Sequence, residues 1–259
     1  MPKNKVLFNP ALAARWLATA AFVLVLTSTV IESADYATGR NSVFLHKLVK
    51  LFYVELELNI PAFFSMLLLL AASLLLAVIA VLSKRQTNSR AAQWAILSAG
   101  FLLMAFDEIV AVHERLIEPM REILGADSLG IFYFAWVVPA VGLVLLLALY
   151  FLRFLRSLPP KTRFFFLLAA TLYLGAAIGF ELIEGWHVER HGKDNPLYIV
   201  LTTVEESLEM AGIITFIWAL SVYLADTCRK VEICFEAHCG EDRISRVTAP
   251  KAVPSGITV

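Results

Sequence analysis

"AAQWAILSAGFLLMAFDEIVAVHERL", residues 91–116, sets sixteen uncharged residues ahead of Asp107, Glu108, His113, Glu114 and Arg115. At 1.5 Å per residue the uncharged part alone covers about 24 Å of a hydrocarbon core about 30 Å thick. The stretch reads as a bilayer-length helix whose ionisable residues are confined to one end. Five more segments have the same length and the same Leu, Ala, Val and Phe content. The spans are about 12–31, 60–82, 91–113, 131–152, 164–187 and 198–225. The chain is 59% hydrophobic and 17% charged, a balance that excludes an ordinary soluble domain of 259 residues.

The fold class is therefore all-α: an integral membrane protein built as a six-helix transmembrane bundle. Residues 43–58 carry Lys47 and Lys50 among apolar side chains and predict a short interfacial amphipathic helix between the first two spans. Residues 1–228 form the six-span domain. Residues 229–259 form a cytoplasmic tail, largely disordered, because 240–259 lack aromatics and carry Pro250, Pro254 and Gly256. The first apolar run is too long for a signal-peptide core and lacks a small-residue cleavage site, so it reads as a retained anchor. Cys228, Cys234 and Cys239 lie together near the C-terminus and form no disulfide framework. A formal charge of zero gives no reason to expect a nucleic-acid partner.

Basic residues set the expected orientation. Lys3, Lys5 and Arg15 precede or open the first span. Lys84, Arg85 and Arg90 fill the second connection, Arg153, Arg156, Lys161 and Arg163 the fourth, and Arg229 and Lys230 follow the last span. All of these fall on one side, which places both termini in the cytoplasm of a cell with a bacterial-type inner or plasma membrane. Membrane lipid is then the surrounding partner; the sequence leaves the oligomeric state open.

With that topology the outer ends of spans three and five meet the outer start of span six. Span three brings Asp107, Glu108, His113 and Glu114. Span five brings Glu181, Glu184 and His187, and span six brings Glu205, Glu206 and Glu209. Eight carboxylates gather at one level, with Arg115 the one basic side chain inside those stretches. A carboxylate deep in a bilayer costs roughly 2.5–3.5 kcal/mol even on the lenient insertion scale, and neighbours repel one another. One arginine does not offset eight acids, whereas divalent cations do. The expected metal ligands are Asp107, His113, Glu114, Glu181, Glu184, His187, Glu205 and Glu209. Glu108 and Glu206 are the expected catalytic acids or bases.

Glu184-x-x-His187 resembles the Glu-x-x-His spacing by which di-iron carboxylate bundles present two ligands from one helix face. Those bundles use two such motifs; this chain supplies one, with Glu206-x-x-Glu209 on span six and no counterpart on span three. A carboxylate-rich set with two or three imidazoles favours iron or manganese over zinc. FDEIVAVH (106–113) also echoes FELIEGWH (180–187), which suggests a helix-hairpin repeat with two similar half-sites.

The function that follows is a metal-dependent membrane enzyme, an oxidase or hydroxylase or a hydrolase, acting on a lipid-like substrate. A transporter, a metal-binding sensor and an interaction subunit with a solvated acidic rim are the alternatives. The transporter reading meets an inner half of the bundle with only scattered polar residues. Glu189 and His191 read as solvated rim, His46 as an interfacial residue, and Tyr133, Trp136 and Trp186 as interfacial anchors.

Overall fold

The computed structural model describes residues 9–85, 90–125 and 129–227; the tail, its cysteines, Lys3 and Lys5 lie outside them. Asn9 starts the first helix, α1 (Pro10–Ala37): its side-chain oxygen accepts the N–H groups of Ala11 and Leu12 at 3.0 and 3.2 Å. Pro10 sits at the first helical position, where no N–H is needed. The amphipathic helix α2 (Val43–Phe52) follows, then α3 (Ile60–Arg85) and α4 (Ala91–Val110). Two short helices, α5 (Val112–Arg115) and α6 (Ile117–Leu124), and a 3-10 turn (Gly130–Phe132) lead into α7 (Val137–Arg156). The chain closes with α8 (Pro160–Leu174), a π turn (Gly175–Phe180), α9 (Glu181–His191) and α10 (Pro196–Thr227). Among the described residues there is no strand. Six helical stretches are long and apolar enough to cross a membrane: 10–37, 60–85, 91–110, 137–156, 160–191 and 196–226.

Four departures from the sequence-based expectation bear on the site, and the first span also runs on to Ala37 and not to 31. The third span ends at Val110 and not at 113, because Ala111 adopts the left-handed conformation (φ 52°, ψ 49°) that stops a helix. The fourth begins at Val137, since residues 130–132 are wound as a 3-10 turn. The fifth is interrupted by the π turn, whose i→i+5 bonding turns each residue by less than the 100° of an α-helix. The amphipathic helix stops at Phe52. Residues 53–59 form an irregular strap in which Tyr53 is extended and Leu58 has φ 54°. Asn59 ends the strap: its side-chain oxygen accepts the N–H of Ala62 at 3.0 Å and starts α3.

Helices α3 and α4 pack along their length. Ser73 Oγ donates to the Ser98 carbonyl at 2.8 Å and Ser98 Oγ returns the bond to the Ser73 carbonyl at 2.9 Å. Small residues and hydroxyls at a crossing let backbones approach and bond across it. Helix α10 lies in the middle, against α1, α3 and α8. At one end Trp94 is fully buried, edge-on to Phe154 (4.8 Å) and Phe166 (6.1 Å) and tilted against Tyr223 (5.1 Å). Four helices thus converge on one indole. The opposite end holds the strap, α5, α6, α9 and the start of α10, and there the acidic side chains collect.

Candidate metal centre

Helix α9 is clamped on two sides. Glu189 accepts the N–H groups of Leu129 and Gly130, both at 2.8 Å, and so ties the 3-10 turn to α9. Gly185 makes the close approach: a Cβ there would lie 3.1 Å from the Tyr133 Cβ and 3.2 Å from the Ile131 carbonyl. On the other side buried His187 meets Asn195 with Nε2 2.8 Å from Oδ1. Asn195 Nδ2 donates to the Gly192 carbonyl and its Oδ1 also accepts the Tyr198 N–H at 3.0 Å, so Asn195 caps α10. That arrangement makes His187 Nε2 the donor.

This clamp fixes Glu181 and Glu184 of α9 opposite Glu205 of α10. One carboxylate oxygen from each of the three lies within 4.8 Å of the others. Glu184 is 1% exposed, and its buried Oε1 receives no N–H or O–H donor. The group set against its carboxyl is another carboxyl, that of Glu205, in hydrogen-bonding contact. Two carboxyls at such range hold together only with a proton or a cation between them. Glu181 is steadied by Trp136, whose Nε1 donates to Oε1 at 2.7 Å.

A second group lies beside the triad. Glu209 lies beside Tyr173 of α8, and Glu108, Glu206 and Glu209 are within electrostatic reach of one another. Asp107 engages His113: Oδ2 is 2.7 Å from Nδ1 and Oδ1 accepts the His113 N–H at 3.1 Å. Burial works to lower the His113 pKa, but the Asp107 hydrogen bond and charge prevail and raise it to about 9. The His113 ring sits 5.0 Å from that of Trp136.

Of the eight expected metal ligands, the structure brings Glu181, Glu184 and Glu205 together. Glu209 lies beside Tyr173. Asp107 and His113 satisfy each other, His187 is held by Asn195, and Glu114 is exposed. The two proposed half-sites therefore differ. Asp107 reaches its histidine across the break at Ala111, whereas Glu181 bonds Trp136 and not His187. Two further readings are corrected. Glu189 is not a solvated rim but a pin for the 3-10 turn, because two backbone N–H groups need its oxygens. Trp136 is half-buried against Glu181 and His113, more than an interfacial anchor.

Sequence reasoning missed the strap. Tyr198 donates to Glu55 Oε1 at 2.6 Å, and Tyr53 OH lies 3.1 Å from Thr202 Oγ1. Burial raises the Glu55 carboxyl to about 7. Burial also raises Glu57, and Glu114 adds to it. The alternation Glu55-Leu56-Glu57-Leu58 before Asn59 and Pro61 carried the signal: it has a period of two, which a helix does not show.

Among the described residues, the fold is helical with six membrane-length helices, and at one end stands a carboxylate triad in which Glu184 and Glu205 are buried and Glu181 half-buried. The chain belongs to the family described as a domain of unknown function (DUF8692), whose model matches residues 16–224. No curated protein and no solved structure matches it.

Proposed function

We propose that the six long helices cross a membrane and that Glu181, Glu184 and Glu205 hold a divalent cation for a metal-dependent reaction on a lipid-like substrate. The observation that carries this reading is Glu184 Oε1, buried without a donor inside a triad of carboxylates. Each ionised carboxylate there costs roughly 2.5–3.5 kcal/mol, and their mutual repulsion adds to that. A dication offsets both.

The donor set is carboxylate oxygen, with His113 and His187 engaged elsewhere, which suits a hard cation and favours manganese over zinc. A cation in such a site lowers the pKa of bound water and polarises a carbonyl or phosphoryl oxygen. Glu108 and Glu206, outside the triad, would serve as general bases. The apolar surroundings favour a substrate arriving from lipid: Ile183, Val200 and Val204 are exposed on the same two helices. The basic side chains Arg85, Arg90, Arg153, Arg156, Lys161 and Arg163 lie at the Trp94 end, which supports a cytoplasmic orientation of that end.

Elemental analysis of detergent-purified protein, with electron paramagnetic resonance, tests the reading. Wild type should carry manganese or iron near one equivalent, and Glu184→Gln with Glu205→Gln should lose it. Wild-type protein that stays free of divalent metal after supplementation, or a double variant that retains it, would refute the centre.

A further inference from the structure

A polar stripe runs along α1, which is otherwise apolar enough to cross a bilayer. Ser28, Glu32 and Asp35 recur at i, i+4 and i+7 on one helix face and are 0%, 2% and 1% exposed. Ser28 is accounted for: its Oγ accepts the Val54 N–H of the strap at 3.1 Å. The two carboxylates are not. Glu32 Oε1 accepts Arg40 Nη2 at 3.1 Å, but Glu32 Oε2 and Asp35 Oδ1 are both buried without a donor.

Arg40 does not settle the account, because its other nitrogen pairs with Asp194 at 2.9 Å. One guanidinium serves two carboxylates, buried Glu32 and exposed Asp194, and gives Asp35 no ion pair. His46 of α2 is within electrostatic reach of Glu32 but makes no ion pair with it. Removing carboxylates from water without partners costs several kcal/mol per ion. Glu32 and Asp35 stand on one face of one helix, one turn apart, and each keeps one buried oxygen without a donor.

We propose that Glu32 and Asp35 form a second cation site, distinct from Glu181, Glu184 and Glu205, and that its ligand is calcium. The open donors are carboxylate oxygens, which suits a hard cation. Calcium accepts irregular oxygen geometry at 2.3–2.6 Å, while magnesium demands a near-octahedral shell and keeps its waters. The site sits where α1, α2, the strap and, through Arg40, the α9–α10 connection meet. Its role is to lock those parts together. It does not rest on the function proposed for the triad.

The test uses the full-length protein, stripped with a chelator in detergent, and follows radioactive calcium binding and thermal unfolding as calcium chloride is added. Magnesium and sodium chloride are parallel arms. Wild type should bind one calcium and gain thermal stability, with magnesium and sodium giving neither effect. Glu184→Gln/Glu205→Gln should keep that response. Glu32→Gln/Asp35→Asn should weaken calcium binding roughly ten-fold or more. Asp35→Asn alone, which preserves volume, should do the same if the double variant does not fold. The proposal is overturned by a wild type that does not bind calcium, by equal stabilisation with magnesium or sodium, by unchanged binding in the Asp35 variant, or by loss confined to the Glu184/Glu205 variant.

Discussion

Asp107 holds His113 at two points, ring Nδ1 and backbone N–H, across the helix break at Ala111. The bond raises the His113 pKa from 6.5 to about 9 against the opposing effect of burial. A raised histidine contributes stability that is fully present below about pH 6.5 and is lost as pH rises through 9. Both side chains are about one-third exposed (34% and 33%), so solvent reduces the contribution to about 1 kcal/mol. His113→Gln should lower the melting temperature at pH 6 and remove the wild-type decline between pH 6.5 and 9. A decline of equal size in the variant would show that another group is responsible.

Glu55 predicts a different window. Its carboxyl titrates near 7, against an ordinary value of 4.5, because the strap buries it. The folded chain keeps that proton between pH 4.5 and 7 while the unfolded chain releases it. Raising the pH through this window therefore weakens the fold. Glu55→Gln should flatten the wild-type loss of melting temperature between pH 4.5 and 7, measured by circular dichroism in detergent. Tyr198→Phe removes the 2.6 Å bond to the same carboxyl and should push its titration higher still.

The helices were legible because their signal is composition over long windows, and lipid-length apolar runs have few alternative folds. The meeting of spans five and six was legible too, since alternation of direction places Glu181, Glu184 and Glu205 at one level. Pairwise chemistry was not. A helical wheel gives His187 and Glu184 the same face, yet Asn195, beyond the helix end, takes the His187 ring. Asp107 and His113 are six residues apart, about 120° apart around a continuous helix and well separated along its axis; the left-handed turn at Ala111 brings them into contact. The strap was read as helix because residues 43–52 set the pattern and the change of period at Glu55 is brief.

Gly212 marks where α10 crosses α8. A Cβ there would stand 2.9 Å from the Tyr173 backbone nitrogen and 3.0 Å from the Ala169 carbonyl, both fixed backbone atoms. Gly212→Ala should force the helices apart and cost about 1–3 kcal/mol. Because Tyr173 lies beside Glu209, the same change should move the two apart. A melting temperature at or above wild type would mean the crossing relaxes freely.

Asn195 joins two tasks whose separation is testable. Its Oδ1 caps α10 through the Tyr198 N–H and accepts His187 Nε2, while Nδ2 bonds the Gly192 carbonyl. Asn195→Ala removes all three bonds and should cost about 1–2 kcal/mol from the cap, with a further contribution from leaving the buried His187 nitrogen without a partner. Asn195→Asp keeps both acceptor roles and loses the Gly192 bond. It should restore most of the stability, since a carboxylate both caps a helix N-terminus and accepts from imidazole. Thermal unfolding of the three proteins at pH 7.5 reads the difference. Equal losses in the Ala and Asp variants would assign the stability to the Gly192 turn, and α9 would then owe its position to Glu189 and Gly185 and not to the His187 bond.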